Sequence, residues 1–229
     1  MKIELSKAGA FASALVRLEP GDNFISESGA MYRASSNVDI DVTTKSRGKG
    51  GILGGLKRLL AAENFFFSTY TIMDGRDGEV GLAPTLQGDV VQIDVEPGVN
   101  WLCTGGSYLG SGPGLEADTQ FQGMKGFFTG EALFYLSIKG QGPLLVTGFG
   151  RIHEIQVDDG LVVDTGHVVA FEESLDYEIS KAGGSWLQSF LGGEGLVMRF
   201  KGQGRIYVQS HNPSDFGPRL GGLLPPRRQ

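Results

Sequence analysis

Apolar and polar residues alternate along most of this chain, in short stretches bounded by glycine-rich turns. A period of two places every second side chain on the same face of a β-strand. The pattern therefore predicts an all-β protein with few short helices, in which each strand buries one face. The clearest spacing recurs in three pairs: Val16/Leu18, Ile93/Val95 and Ile155/Val157.

The same order of elements recurs three times. Each copy opens with a strand and an acidic turn, continues through a second strand and a glycine turn, and closes with a glycine-rich stretch, an apolar strand and a hairpin. The closing stretches begin at Gly50, Gly123 and Gly183. The recurrence predicts three β-modules of about six strands each, packed with pseudo-threefold symmetry into one compact unit. The expected modules are 1–89, 90–149 and 150–211, followed by a tail at 212–229.

The first copy adds a glycine-rich loop and a short amphipathic helix, predicted over 51–62. Its leucines fall at helical spacing, with two cations on the other side. Whether the apolar residues of this helix face another subunit, a partner or a membrane surface stays open. Two cations are few for a membrane surface, so that alternative is not favoured. The candidate interaction surface is Leu56, Lys57, Arg58, Leu59 and Leu60.

Composition narrows the function classes. Glycine supplies 37 of the 229 residues, which fits a chain with many tight turns. The formal net charge of −6 argues against nucleic acid as a partner, because binding to phosphates requires positive charge. A signal peptide is rejected because Glu4 lies in the segment that would be basic and because Gly9 and Ser13 weaken the apolar stretch that follows. No apolar run reaches the length of a membrane span. A cytoplasmic, reducing compartment is therefore expected.

Two functional motifs are incomplete in this chain: the nucleophile elbow of acyl-transfer enzymes and the phosphate-binding P-loop. A nucleophile elbow at Ser107 would need glycine at position 109, where this chain has leucine. The P-loop spacing of Gly50 and Gly55 is followed by Leu56 in place of the phosphate-binding lysine. We therefore predict no catalytic residues and no cofactor site.

Three sets of reactive residues have simpler interpretations. The histidines are not equivalent across the copies, so unrelated positions are favoured over a metal site. The acidic residues that recur at one turn are favoured as solvated turn residues over a shared cation or acid–base site. The single cysteine is expected to be a small buried residue. These residues are His153, His167 and His211; Glu19, Glu96, Asp158 and Asp159; and Cys103.

Several segments resemble the AIM24 family. They are the strand-turns LEPG and VEPG, the stretch GGLKRLLAAENFFFSTY and the segment YVQSHNPSDF, and the resemblance spans nearly the whole chain. It implies a TRAP-like fold, which is a short variant of the double-stranded β-helix, triplicated within one chain. It also implies homo-oligomers, with a trimer favoured, and a prokaryotic cytoplasmic member. The family offers no catalytic residues to carry over.

The leading functional prediction is a non-catalytic, oligomeric structural or interaction protein. An enzyme or small-ligand-binding protein, with a site between modules or subunits, stays open as a second class because clefts form there. A ring-shaped RNA-binding protein is a third class, suggested by the fold resemblance alone and opposed by the net charge of −6.

Overall fold

The computed structural model describes residues 1–6, 11–43, 66–121, 134–181 and 196–225. Nearly all regular structure in these residues is β, which confirms the predicted fold class. Group 1 contains β1 (Lys2–Ser6), β2 (Ser13–Leu18), β3 (Asn23–Glu27), β4 (Met31–Ala34), β5 (Val38–Thr43), β6 (Phe67–Ile72) and β7 (Gly78–Leu82). Group 2 contains β8 (Val90–Val95), β9 (Trp101–Thr104), β10 (Tyr108–Ser111), β11 (Leu115–Phe121), β12 (Phe134–Gly140) and β13 (Gly142–Thr147). Group 3 contains β14 (Ile152–Val157), β15 (Leu161–Asp164), β16 (Val168–Glu172), β17 (Asp176–Lys181), β18 (Leu196–Lys201) and β19 (Gly204–Gln209).

Two helical elements accompany these strands in the described chain. A single 3-10 turn spans Thr165–His167, and helix α1 spans Pro213–Gly221. The Asn212 side chain caps α1 by accepting a hydrogen bond from the Ser214 amide at 2.9 Å. The predicted helix over 51–62, with its candidate surface Leu56, Lys57, Arg58, Leu59 and Leu60, lies outside the described residues.

Alternating burial explains why these segments form strands. In β2, Ala14, Val16 and Leu18 are fully buried while Arg17 is exposed, as a period of two requires. Tight turns follow, and Gly21 has φ +93°, a conformation that L side chains rarely adopt. The strand-turn predicted from sequence is confirmed at this position.

Antiparallel pairing joins the strands into four sheets. Sheet I has the order β1-β2-β7-β4, and sheet IV has the order β15-β18-β17. Sheet II has the order β5-β6-β3-β10-β13-β8, and sheet III has the order β11-β12-β9-β16-β19-β14. Sheets II and III each combine strands from two successive groups. The joints are the pairs β3–β10 and β9–β16.

The same pairing order recurs in all three groups. The last strand lies between two earlier ones: β7 between β2 and β4, β13 between β8 and β10, and β19 between β14 and β16. Each pairing of the last strand with β4, β10 or β16 also contains a register shift. The shifts fall at the same place, between Met31 and Arg33, Tyr108 and Gly110, and Val168 and Ala170.

Three buried clusters hold the four sheets together. The first lies between sheets I and II, the second between II and III, and the third between III and IV. Phe24 and its neighbour Ile25 in β3 belong to different clusters, and so do Trp101 and Leu102 in β9. Sheets II and III are therefore buried on both faces, so their strands depart from simple alternation.

The segments that connect the groups touch each other. Gly88 and Gly150 form a parallel bridge, in which the Asp89 amide donates to the Gly150 carbonyl at 2.8 Å. The Gly150 amide donates in turn to the Gln87 carbonyl at 2.9 Å. A Cβ atom at position 88 would overlap the carbonyl oxygen of Gly148. The crossing therefore requires glycine at position 88.

Candidate functional site

A cleft of about 390 Å³ opens where strand ends from all three groups meet. Its walls are the turn after β3, the segment after β7, the turn after β9 and the end of β13, while β19 and α1 each add one residue. The lining positions are 27–30, 83–86, 104–107, 109, 147–149, 209 and 213.

Three lining residues hold the same place in the three groups. The first residues of β4, β10 and β16 each pair with a residue of the last strand of their group. Ala83, Thr147 and Gln209, respectively, are the next residues in the chain after those partners. All three line the cleft. The cleft therefore lies where equivalent strand ends of the three groups converge.

Most polar side chains that line the cleft are already hydrogen-bonded. The Ser107 hydroxyl donates to the carbonyls of Thr104 and Val169 at 2.8 and 2.7 Å. The Gln209 amide group donates to the Gly166 carbonyl at 2.8 Å and accepts from the Phe149 amide at 2.7 Å. These side chains fix the walls of the cleft and leave little polar capacity for a ligand.

Glu27, the last residue of β3, differs from these side chains. It is the one ionisable residue among the described residues that line the cleft. Its side chain is half-buried, and within the described parts of the chain its carboxylate has neither a hydrogen-bond donor nor a cation as a partner. Burial raises the pKa of the Glu27 carboxyl above its ordinary value of 4.5, because the charged form loses hydration.

The equivalent positions in the other groups are occupied by side chains with partners. Thr104, the last residue of β9, donates its hydroxyl to the Val168 carbonyl at 2.8 Å. Asp164, the last residue of β15, accepts a hydrogen bond from the Gly166 amide at 2.8 Å. Glu27 is thus the one of these three equivalent residues whose side-chain polar group has no partner among the described residues.

Those residues singled out by the sequence that the structure describes do not assemble into one site. Cys103 is fully buried in β9, as expected, and burial raises the pKa of its thiol to about 12. Glu19 is exposed and lies 3.5 Å from the amino group of Met1, whereas Glu96 is exposed on a separate turn. The interpretation of these acidic residues as solvated turn residues is confirmed for Glu19 and Glu96.

The histidines contact different partners. His167 shares a hydrogen bond of 2.7 Å with the Gln209 carbonyl, and His211 packs its ring 5.3 Å from that of Phe149. Within the described ranges, no group of three or more His, Cys, Asp or Glu side chains could hold a metal ion.

Sequence reasoning missed Glu27. The available signal was the position itself: an acid at the end of a strand whose Phe24 and Ile25 are apolar, aligned with Thr104 in the second copy. An acid before Ser28-Gly29 looks like an ordinary turn residue, so the signal is weak without the surrounding strands.

The fold and the cleft define a layered all-β protein in which successive strand groups share two of the four sheets and line a cavity of small-ligand size. The sequence profile of the family described as mitochondrial biogenesis AIM24 matches residues 3–211. The chain belongs to this AIM24 family, which confirms the resemblance found in the sequence.

Two relatives come from Streptococcus pyogenes. An uncharacterized protein of the serotype M6 strain is 30% identical over 230 residues, covering 98% of this chain and 92% of the relative. The X-ray crystal structure of a protein from the same species, a structural genomics target, has a TM-score of 0.80 at 28% identity. It covers 97% of this chain and 99% of the crystallised chain, so the fold is common to both over their whole length.

No helix within the described ranges is both long enough and apolar enough to cross a membrane.

Proposed function

We propose that this protein is a non-catalytic structural or interaction protein of the cytoplasm that works as a homo-oligomer, with a trimer favoured. The observation that carries the proposal is a pair of unused strand edges. β10 and β16 each pair with strands on both sides, whereas the equivalent strand β4 pairs within the described chain with β7 alone. β9 and β3 likewise have two partners, whereas the equivalent β15 pairs with β18 alone among the described strands.

The proposal includes a triplicated chain. We infer that each group is one TRAP-like module, with boundaries at 1–89, 90–149 and 150–211. The recurring pairing order and the recurring register shift support this inference. In such a chain two of the three joints between modules form internally, and the third pair of edges is left for another copy.

The two unused edges fit each other in chemistry. Tyr32 in β4 is 55% exposed and Val162 in β15 is 53% exposed, although both are large apolar side chains on sheet edges. Unpaired edges with apolar side chains favour pairing with another strand. In the register of β9 with β16, Val162 of one copy would lie opposite Ala34 of the next copy.

The assembly is tested by size-exclusion chromatography with light scattering at micromolar concentration. We expect a mass three times the chain mass of 24.4 kDa. A monomer of 24.4 kDa under these conditions would exclude the proposal.

Two edge variants test the proposed interface. Tyr32→Lys and Val162→Lys each place a charge on an unused edge, and we expect both to lower the measured mass toward that of the monomer. Met73→Lys is the matched control, since Met73 is 61% exposed and lies outside β4 and β15. Loss of the oligomer in the control, or its persistence in both edge variants, would assign the interface to another surface.

A further inference from the structure

We propose that the cleft between the three strand groups is a binding site for a small organic ammonium ion, with the Glu27 carboxylate as its counter-ion. The ligand class is a primary ammonium group on a short apolar chain. This inference does not depend on the proposed assembly, because every residue that lines the cleft belongs to one chain.

The charge of the site selects a cation. Glu27 is the one ionisable side chain among the described lining residues, so the cleft carries a single negative charge. A carboxylate that is removed from water and left without a partner is unfavourable. A ligand ammonium group would supply both the positive charge and the hydrogen-bond donors that this carboxylate lacks.

Internal comparison argues against a purely structural role for Glu27. Thr104 and Asp164 occupy the equivalent places, and both side chains bond to backbone groups: Thr104 to the Val168 carbonyl in β16, and Asp164 to the Gly166 amide in its own turn. Within the described chain the Glu27 carboxylate makes no such bond. In the turn after β3, the backbone carbonyl of Glu27 accepts a hydrogen bond from the Ala30 amide at 3.3 Å. The turn after β3 thus forms without the side chain.

The apolar residues of the lining favour a ligand that is apolar apart from its ammonium group. Leu109 is buried at the cleft, Ala30 and Ala83 face it with small side chains, and Leu86 is 38% exposed. Phe149 also lines the cleft, and its ring packs against those of His211 and Phe216. A volume of about 390 Å³ is at the small end of the range for ligand sites, which fits a compact ligand.

Other ligand classes fit the cleft less well. A divalent metal ion requires several oxygen ligands, and the described lining offers one carboxylate. An anion would be repelled by that carboxylate. A neutral alcohol could fill the apolar part but would leave the charge of Glu27 uncompensated.

The probe for the test is n-butylammonium chloride, with n-butanol as a neutral probe of similar shape. The full-length, deuterated chain is titrated in phosphate buffer, because Tris is itself an ammonium compound. Relaxation-optimised amide spectra then report on Gly29, Gly105 and Gly106, which line the cleft. We expect saturable shifts of these amide signals with n-butylammonium and no saturable shift with n-butanol.

Two variants assign the binding to Glu27. Glu27→Gln keeps the shape of the side chain and removes its charge, so we expect the affinity to fall roughly tenfold or more. Glu96→Gln removes the same charge from an exposed turn that does not line the cleft, and its affinity should match that of the wild type.

Three outcomes would overturn the proposal: no saturable shift with n-butylammonium, equal binding of n-butanol, or unchanged affinity in Glu27→Gln. The comparison of the two probes on the wild-type chain needs no variant, so it decides the question even if a variant folds poorly. The assembly state is measured separately by light scattering, so failure of the ligand site and failure of the oligomer are distinguishable.

Discussion

Glu27 carries a charge that no group in the described parts of the chain compensates. Its side chain is half-buried, it lines the cleft together with Ala30 and Leu109, and no described cation is its partner. Functional sites often keep such groups, because a ligand can supply the missing partner only when the fold does not. Without a ligand, the same arrangement lowers the stability of the folded protein.

The variant Glu27→Gln is expected to raise the melting temperature of the ligand-free protein at neutral pH by roughly 2–4 °C. Because burial raises the pKa of Glu27, the folded chain binds this proton more tightly than the unfolded chain. Stability from this group is therefore highest below its ordinary pKa of 4.5 and falls as the pH rises through the raised pKa. The gain from the variant should thus disappear below pH 4.5.

Differential scanning calorimetry in phosphate and acetate buffers measures this dependence. Glu96→Gln is the matched control, because it removes the same charge from an exposed turn that does not line the cleft. A melting temperature of Glu27→Gln at or below that of the wild type at neutral pH would contradict the prediction.

The burial of individual residues could be predicted from the sequence, but the cleft could not. Val16, Leu18 and Cys103 could be placed inside because strand periodicity and small size decide their burial locally. Glu27 differs, since its isolation depends on turns near positions 84, 105 and 148 that are distant in the chain. No local sequence pattern indicates that these three turns come together.

The strands and their turns were the most predictable elements. The alternating segments became strands, and the Pro-Gly turn at Gly21 adopts the positive φ that the residue pair indicates. The layering was less predictable, since β3 and β9 bury adjacent residues on opposite faces. That burial results from neighbouring sheets, which a strand-by-strand reading does not include.

The joint between β3 and β10 gives a prediction at the scale of elements. Gly110 lies opposite Ser26, and a Cβ atom at this position would lie 2.5 Å from the Phe24 ring and 2.8 Å from the Ile25 carbonyl oxygen. Both neighbours are buried, so neither can move freely. We expect Gly110→Ala to destabilise the protein by about 1–3 kcal/mol in urea unfolding.

Gly217→Ala is the control for this substitution. Gly217 lies in α1, and nothing is within 4 Å of the position that its Cβ would occupy. An added methyl group there should stabilise the helix by about 0.5–1 kcal/mol at most. Equal urea midpoints for Gly110→Ala and the wild type would show that the joint is looser than the packing indicates.

At the scale of the whole molecule, the three clusters cannot separate without breaking a sheet. Sheet II contributes Phe24 to one cluster and Ile25 to the next, and sheet III does the same with Trp101 and Leu102. Each cluster thus shares its strands with a neighbour. The groups that sequence reasoning treats as modules are therefore mechanically coupled.

We expect a single cooperative unfolding transition in urea. In a Trp186→Phe variant, which leaves Trp101 as the single tryptophan, fluorescence reports on the second cluster, whereas far-ultraviolet circular dichroism reports on the strands of all four sheets. Shared sheets should make the two curves coincide. A dichroism change that precedes the fluorescence change would show that a terminal sheet, I or IV, unfolds independently.

The crossing of Gly88 with Gly150 limits how this protein can vary. The neighbours of position 88 are backbone atoms, which cannot adopt another rotamer to admit a side chain. In a library that encodes every amino acid at this codon, selection for folded protein should recover glycine almost alone. The same steric overlap acts during natural sequence divergence. We therefore expect glycine to be kept at position 88 while the exposed strand positions change freely.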